Sequence, residues 1–133
     1  MMETGIKNEI ELTVTEEMTA ERVGSGLLPV YATPEMIAQM EKAASTSVEP
    51  YLEEGQGTVG TKMNVDHLSA TPVGMKVRVE SELVEVDRRK LVFDVKAYDE
   101  AGIIGRGTHE RFIIDNEKFL GKAEAKRTAG RDE

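Results

Sequence analysis

The sequence predicts an α+β fold in which a curved antiparallel sheet wraps one long central helix. Three observations lead to this prediction. Residues 34–48 have the apolar spacing of an amphipathic helix, and no other long helical pattern occurs in the 133 residues. One alternating strand pattern precedes the helix. Four alternating strand patterns joined by short turns follow it, which is enough to cover the apolar face of one helix.

The chain begins with a strand pattern, in which Ile10, Leu12 and Val14 alternate with polar residues. Residues 16–32 lose this alternation and mix glycines and a proline with apolar residues, namely Leu27, Leu28, Val30 and Tyr31. A segment of this kind, leading into a helix, is either a lid over a site or an ordinary loop packed on the core. Both interpretations stay open.

Both ends of the helix are marked in the sequence. Thr33 is the predicted N-cap, and Pro34 suits the first helical position. Pro50 ends the helix because a proline disfavours helical backbone at the preceding residue, Glu49. The apolar stripe between these ends consists of Met36, Ile37, Met40, Ala44 and Val48.

Glu41 lies at the border of this apolar stripe, where a carboxylate is unusual. Its helical neighbours three and four residues away are not basic, so no ion pair within the helix explains it. It is either a rim carboxylate that reaches solvent or a functional group.

The strand after the helix covers residues 58–68, and His67 is in phase with its apolar residues Val59, Met63 and Val65. His67 should therefore face the helix, either as a core histidine or as a catalytic one. The next three strands follow through short turns, so we expect the four strands to form a meander. A phase slip between Ser81 and Leu83 predicts a β-bulge.

The last strand, residues 103–114, places four distinctive residues on one face: Gly105, Gly107, His109 and Arg111. Paired glycines in a strand indicate that another backbone, a helix or a ligand approaches closely. We interpret His109 as an ordinary polar strand residue.

A single domain is predicted over residues 1–121, and residues 122–133 form a charged tail that we expect to be flexible. The two edges of a five-stranded sheet favour pairing with a second copy, so we expect a homodimer.

The composition excludes several classes of function. A net charge of −8 argues against a general nucleic-acid binder. The absence of cysteine excludes thiolate chemistry, and two histidines make a histidine-rich metal site unexpected. The sequence begins without a secretory pattern and has no apolar stretch long enough to span a membrane. We therefore expect a cytoplasmic protein that needs no metal and does not bind membranes.

Thr33, Glu41 and His67 form a candidate constellation. Thr33 and Glu41 are separated by about 12 Å along the helix, so they cannot bond directly but are able to flank a substrate group between them. A carboxylate and a histidine near a helix N-terminus are suited to hydrolysis of an acyl bond.

Several segments together resemble one known family, the fluoroacetyl-CoA thioesterase type of hotdog-fold protein. The resemblance covers roughly residues 30–119 and preserves the spacing between the matched positions. The matched segments are Tyr31-Ala32-Thr33, Met40-Glu41, Pro50-Tyr51-Leu52-Glu53, Gly60-Thr61, His67 with Ala70-Thr71-Pro72 and Gly74, and Gly107-Thr108-His109-Glu110-Arg111.

The resemblance implies a hotdog thioesterase that hydrolyses acyl-CoA without a cofactor, with Thr33, Glu41 and His67 as its catalytic residues. Glu41 would attack the thioester carbonyl or activate water, and His67 would transfer protons. Gly60 matches a glycine beside the acyl group, whose backbone N–H would hold the thioester oxygen. Arg111 matches an arginine that supports the carboxylate, and its alternative is a structural ion pair.

The sequence departs from that family in the segment before Thr33. The family has a longer lid that carries phenylalanine, whereas residues 20–32 contain none. We therefore expect a general short-chain acyl-CoA thioesterase, with a pocket closed by Leu27, Leu28, Val30 and Tyr31. Two alternatives remain. One is a non-catalytic acyl-CoA-binding module, and the other is a hotdog enoyl-CoA hydratase, whose Asp/His segment we do not find.

Overall fold

A computed structural model describes residues 2–129 of the chain, and it confirms the predicted α+β architecture. One long helix lies against one five-stranded antiparallel sheet. The strands are β1 (Lys7–Thr13), β2 (Gln56–His67), β3 (Lys76–Asp87), β4 (Lys90–Asp99) and β5 (Gly102–Asp115). The helices are α1 (Ala20–Val23), α2 (Thr33–Val48), α3 (Asn116–Glu124) and α4 (Lys126–Ala129).

The order of strands in the sheet is β1-β3-β4-β5-β2, so the predicted meander of four strands is wrong. Only β3, β4 and β5 follow one another as neighbours. Residues 68–75 carry the chain across the end of the sheet, and β2 pairs with β5 at the far edge. A bulge is present in β3, between Leu83 and Glu85, slightly beyond the predicted phase slip.

The glycines of β5 permit the close approach that their spacing predicted. A side chain at Gly105 would meet the Met36 side chain of α2 at 2.6 Å. A side chain at Gly107 would meet the backbone of β2 at Asn64, 2.1 Å away. The helix and strand β2 can therefore pack tightly on β5 only because these positions lack a Cβ atom.

The apolar stripe of α2 forms the centre of the core. Met36, Met40, Ala44 and Val48 are completely buried, together with apolar residues of β3, β4 and β5. A buried methionine or valine side chain stabilises a fold by about 1.5–3 kcal/mol relative to an exposed one. The rigid contact between helix and sheet fixes the position of every side chain that α2 presents to β2 and β5.

Two details at the ends of α2 differ from the prediction. The N-cap is Ala32 and not Thr33, which is the first residue of the helix and makes no capping hydrogen bond. Its hydroxyl is instead bonded to His67. Glu49 keeps helical backbone angles, φ −50° and ψ −44°, so the chain enters a 3₁₀ turn at Glu49–Tyr51 before it leaves the helix.

The segment predicted as a tail is helical within the described part of the chain. Helix α3 spans the expected boundary at residue 121, and its side chains are exposed. The flexibility of residues 122–133 stays a prediction, and the last four of these residues lie outside the described range. Between residues 2 and 129, no helix combines the length and apolar character needed to cross a bilayer.

Candidate active site

Thr33 and His67 meet at the start of α2. The alternation along β2 turns His67 toward the helix, as the sequence predicted, and Oγ1 of Thr33 lies 2.6 Å from its Nδ1 atom. This hydrogen bond fixes the orientation of the ring. The other ring nitrogen, Nε2, is buried and has no hydrogen-bond partner among residues 2–129. Nε2 is therefore the atom through which His67 can exchange a proton with a bound molecule.

The surroundings keep His67 neutral. Burial lowers the pKa of His67 from its usual value of 6.5, and the backbone of Ser69 partly opposes this change. The ring is therefore uncharged at neutral pH and able to accept a proton.

Glu41 faces Gly60 across the gap between α2 and the sheet. A Cβ atom on Gly60 would lie only 3.1 Å from Oε2 of Glu41. The same position is 3.1 Å from Cε1 of His109 and 3.3 Å from Nη1 of Arg111. Three side chains from two elements, α2 and β5, thus converge on Gly60, a residue of β2 that has no side chain. Glu41 is half-buried, and its carboxylate interacts electrostatically with the Arg111 cation. This interaction explains the position of Glu41 beside the apolar stripe, for which α2 itself offers no basic partner.

Arg111 is buried and held by several hydrogen bonds. Its Nε donates to Oγ1 of Thr58 at 2.8 Å, and its Nη2 donates to the Thr58 carbonyl at 2.9 Å. Its Nη1 lies 3.1 Å from Nε2 of His109, which is itself fully buried. The sequence predicts only an ordinary polar strand residue at His109. The sequence feature that indicates a functional role for His109 is its position two residues before Arg111, on the same inward face of β5.

Within one chain the predicted residues fall into two separate groups. Thr33 and His67 line a cavity of ≈ 270 Å³. Glu41, Gly60 and Arg111 line another of ≈ 440 Å³, which shares none of these residues. The two groups are separated along β2, because Gly60 lies in the first half of the strand and His67 is its last residue.

The lid is more open than the sequence indicated. Val30 and Tyr31 line the cavity beside His67, as predicted. Leu27 and Leu28 do not close it, because their exposed fractions are 91% and 65%. The hydroxyl of Tyr31 is buried and has no hydrogen-bond partner in the described part of the chain, so it is available to a bound molecule.

Comparisons with known proteins identify the family of this chain. The family model described as fluoroacetyl-CoA-specific thioesterase matches residues 14–117. The fluoroacetyl-CoA thioesterase of Streptantibioticus cattleyicolor is 46% identical over 101 residues, which are 76% of this chain and 73% of that protein.

Solved structures give the same result. A structure of the fluoroacetyl-CoA thioesterase has a TM-score of 0.90 and 36% identity, and the match covers 95% of this chain and 98% of that one. A variant of that enzyme with fluoroacetate and CoA bound has a TM-score of 0.84 and 37% identity over 89% and 99% of the two chains. A hot-dog-like protein from Thermanaerovibrio acidaminovorans, at 23% identity and a TM-score of 0.85 over 95% and 93% of the chains, shares the fold. The predicted hotdog fold is thus confirmed, and the chain belongs to the fluoroacetyl-CoA-specific thioesterase family.

Proposed function

We propose that this protein hydrolyses short-chain acyl-CoA thioesters to a free acid and coenzyme A. Family membership makes it an acyl-CoA thioesterase and supports this activity over the binding module and the hydratase. The observation that carries the proposal is the convergence of the Glu41 carboxylate and the Arg111 cation on Gly60. This arrangement presents a fixed carboxylate and an open backbone position to a planar thioester. The direct assay measures the free thiol of coenzyme A that is released when acetyl-CoA or propionyl-CoA is hydrolysed.

In the proposed reaction Glu41 provides the carboxylate that starts the attack on the thioester carbonyl. It either bonds to the carbonyl carbon itself or removes a proton from the attacking water. In both routes a C–O bond forms, the C–S bond breaks, and the sulfur leaves as the coenzyme A thiolate. On the first route water then cleaves the mixed anhydride and restores Glu41.

The other candidate residues assist these steps. The backbone N–H of Gly60 would hold the thioester oxygen as negative charge develops on it. His67 would transfer protons through Nε2, while the hydroxyl of Thr33 keeps the ring in place. Arg111 would hold the Glu41 carboxylate in position, since the two groups face each other.

We further propose that the protein is a homodimer whose two copies complete each other's sites. Strand β2 lies at the end of the sheet, and its outer edge meets no other strand of residues 2–129. Two copies of β2 that pair antiparallel about a two-fold axis between Met63 and Asn64 would place Gly60 of one copy opposite the partner's His67. Adjacent strands lie about 4.8 Å apart, so the two separate cavities would become one site. The cytoplasmic location stays a prediction from the sequence.

The open lid predicts modest selectivity among short acyl groups. Leu27 and Leu28 are exposed and residues 20–32 contain no phenylalanine, so little apolar surface encloses a small acyl group. Apolar contact distinguishes groups that differ by one methylene by only about 1–3 kcal/mol. We expect kcat/KM for fluoroacetyl-CoA and acetyl-CoA to differ by far less than about 10⁴. A larger preference for the fluorinated substrate would contradict the interpretation of the lid.

The neutral state of His67 predicts the acidic side of the pH profile. Burial lowers the pKa of His67, so the reactive neutral ring is present at neutral pH and is lost as the pH falls through that lowered pKa. We expect kcat/KM to be constant near pH 7 and to decline with a midpoint below 6.5. A profile in which activity rises as the pH is lowered through this range would contradict a role for His67 as proton acceptor.

A further inference from the structure

The buried histidine of β5, His109, has a more defined environment than its sequence position indicated. It is 1% exposed and its ring lies 6.2 Å from that of Phe93, centroid to centroid. Both of its ring nitrogens contact a neighbouring polar group, the carbonyl of Lys62 and the guanidinium of Arg111.

These two contacts determine the protonation state of the ring. Nδ1 lies 2.8 Å from the carbonyl oxygen of Lys62, which can only accept a hydrogen bond, so Nδ1 carries the proton. Nε2 lies 3.1 Å from Nη1 of Arg111, which can only donate, so Nε2 has no proton. The neutral Nδ1–H form alone satisfies both contacts. Burial and the charge of Arg111 lower the pKa of His109, which keeps the ring neutral.

Nη1 of Arg111 is also the guanidinium atom nearest the proposed site. It lies 3.3 Å from the position that a Cβ atom on Gly60 would occupy, and Oε2 of Glu41 lies 3.1 Å from the same point. The two anchors on Thr58 hold the other side of the guanidinium group, at Nε and Nη2. His109 is therefore the group that holds Nη1, the guanidinium atom that lines the same gap beside Gly60 as the Glu41 carboxylate.

We propose that His109 is a positioning residue, which holds Nη1 of Arg111 toward Glu41 so that the carboxylate keeps its reactive orientation. The proposal rests on the proposed function, in which Glu41 acts on the thioester. In this proposal His109 and Arg111, which both face inward, act together to orient Glu41. The histidine accepts a hydrogen bond from the arginine, and the arginine fixes the carboxylate.

The experiment compares two variants that differ in their capacity for hydrogen bonding. His109→Leu keeps an apolar side chain in the core but removes both the acceptor for Nη1 and the donor to the Lys62 carbonyl, whereas His109→Gln keeps an acceptor oxygen and an N–H donor. We expect His109→Leu to lower kcat by about 10- to 100-fold with little change in KM, because small displacements of catalytic groups have effects of this size. His109→Gln should recover most of this loss. Ser81→Ala removes a different buried polar group, a hydroxyl on the inward face of the sheet outside the site, and should leave kcat unchanged.

A double-variant cycle separates positioning from a general structural effect. If His109 acts through Arg111, His109→Leu should cause no additional loss of kcat in an Arg111→Gln background. Losses that multiply would overturn the proposal, as would an unchanged kcat in folded His109→Leu or an equal loss in the Gln and Leu variants.

NMR of the Arg111 guanidinium gives a readout that needs no turnover. Restricted, slowly exchanging Nη1 signals are expected in the wild type and in His109→Gln, and averaged signals in His109→Leu. Failure of acyl-CoA hydrolysis would count against the proposed function alone. An unchanged guanidinium spectrum in His109→Leu would overturn the role of His109.

Discussion

Replacement of Glu41 by glutamine should lower kcat by about two orders of magnitude or more, as expected for loss of an acid–base or nucleophilic group. Glutamine keeps the size of the side chain beside Gly60 and Arg111, but it neither attacks a carbonyl nor removes a proton from water. The measurement is steady-state hydrolysis of the best acyl-CoA substrate at saturating concentration.

Glu49→Gln is the matched control for Glu41→Gln. It removes the same charge from an exposed residue next to the C-terminal end of α2, away from Gly60. We expect kcat of Glu49→Gln to stay within about threefold of the wild type, the range of an uninvolved surface change. A similar small effect in Glu41→Gln would show that this carboxylate does not take part in the reaction.

Replacement of His67 by alanine should also lower kcat by about two orders of magnitude or more. The change removes the imidazole ring that is hydrogen-bonded to Oγ1 of Thr33. It also removes the buried Nε2 atom, which is available for proton transfer. The same assay tests it. Imidazole added to the buffer should restore part of the activity if the cavity admits it.

Asn64→Ala provides the control on the same strand, because Asn64 is exposed three residues before His67 on β2. Its kcat should match the wild type. If His67→Ala remains folded, with an unchanged far-UV spectrum, and hydrolyses acyl-CoA at the normal rate, the proton-transfer role of His67 is wrong.

The long helix and the inward face of β2 could be predicted from the sequence because both depend on local periodicity. The spacing of apolar residues locates α2 to within one residue, and the phase of Met63, Val65 and His67 gives the correct face. The strand order could not be predicted this way. Alternation shows that a segment is a strand, but it does not show which strand lies beside it. The sequence feature that agrees with the observed pairing is Gly107, because the missing side chain permits its close contact with the backbone of β2.

The sequence predicts the residues of the candidate site but not the contacts between them, because these contacts join segments that are distant in the chain. Thr33, Glu41 and His67 were selected through resemblance and helix geometry, but periodicity carries no information about contacts between distant segments. The bond between Thr33 and His67 and the approach of Arg111 to Glu41 depend on how β2 and β5 pack against α2. His109 was treated as an ordinary strand residue because its partner, the Lys62 carbonyl, lies 47 positions away in the chain.

The central claim is that Glu41 of one copy and the partner's His67 act in one site. Within a single chain these residues line separate cavities, and the proposed antiparallel pairing of two β2 strands would join them. A heterodimer with Glu41→Gln in one copy and His67→Ala in the other distinguishes shared sites from sites within each chain. Two different tags and sequential affinity steps yield this heterodimer.

Each homodimeric variant should be nearly inactive. In the heterodimer, one of the two shared sites has both residues intact and the other has neither, so we expect about half of the wild-type turnover per dimer. If the sites lie within single chains, every site carries one of the two defects. Activity of the heterodimer no higher than that of the inactive parents, or failure of the two tags to copurify, would contradict the account.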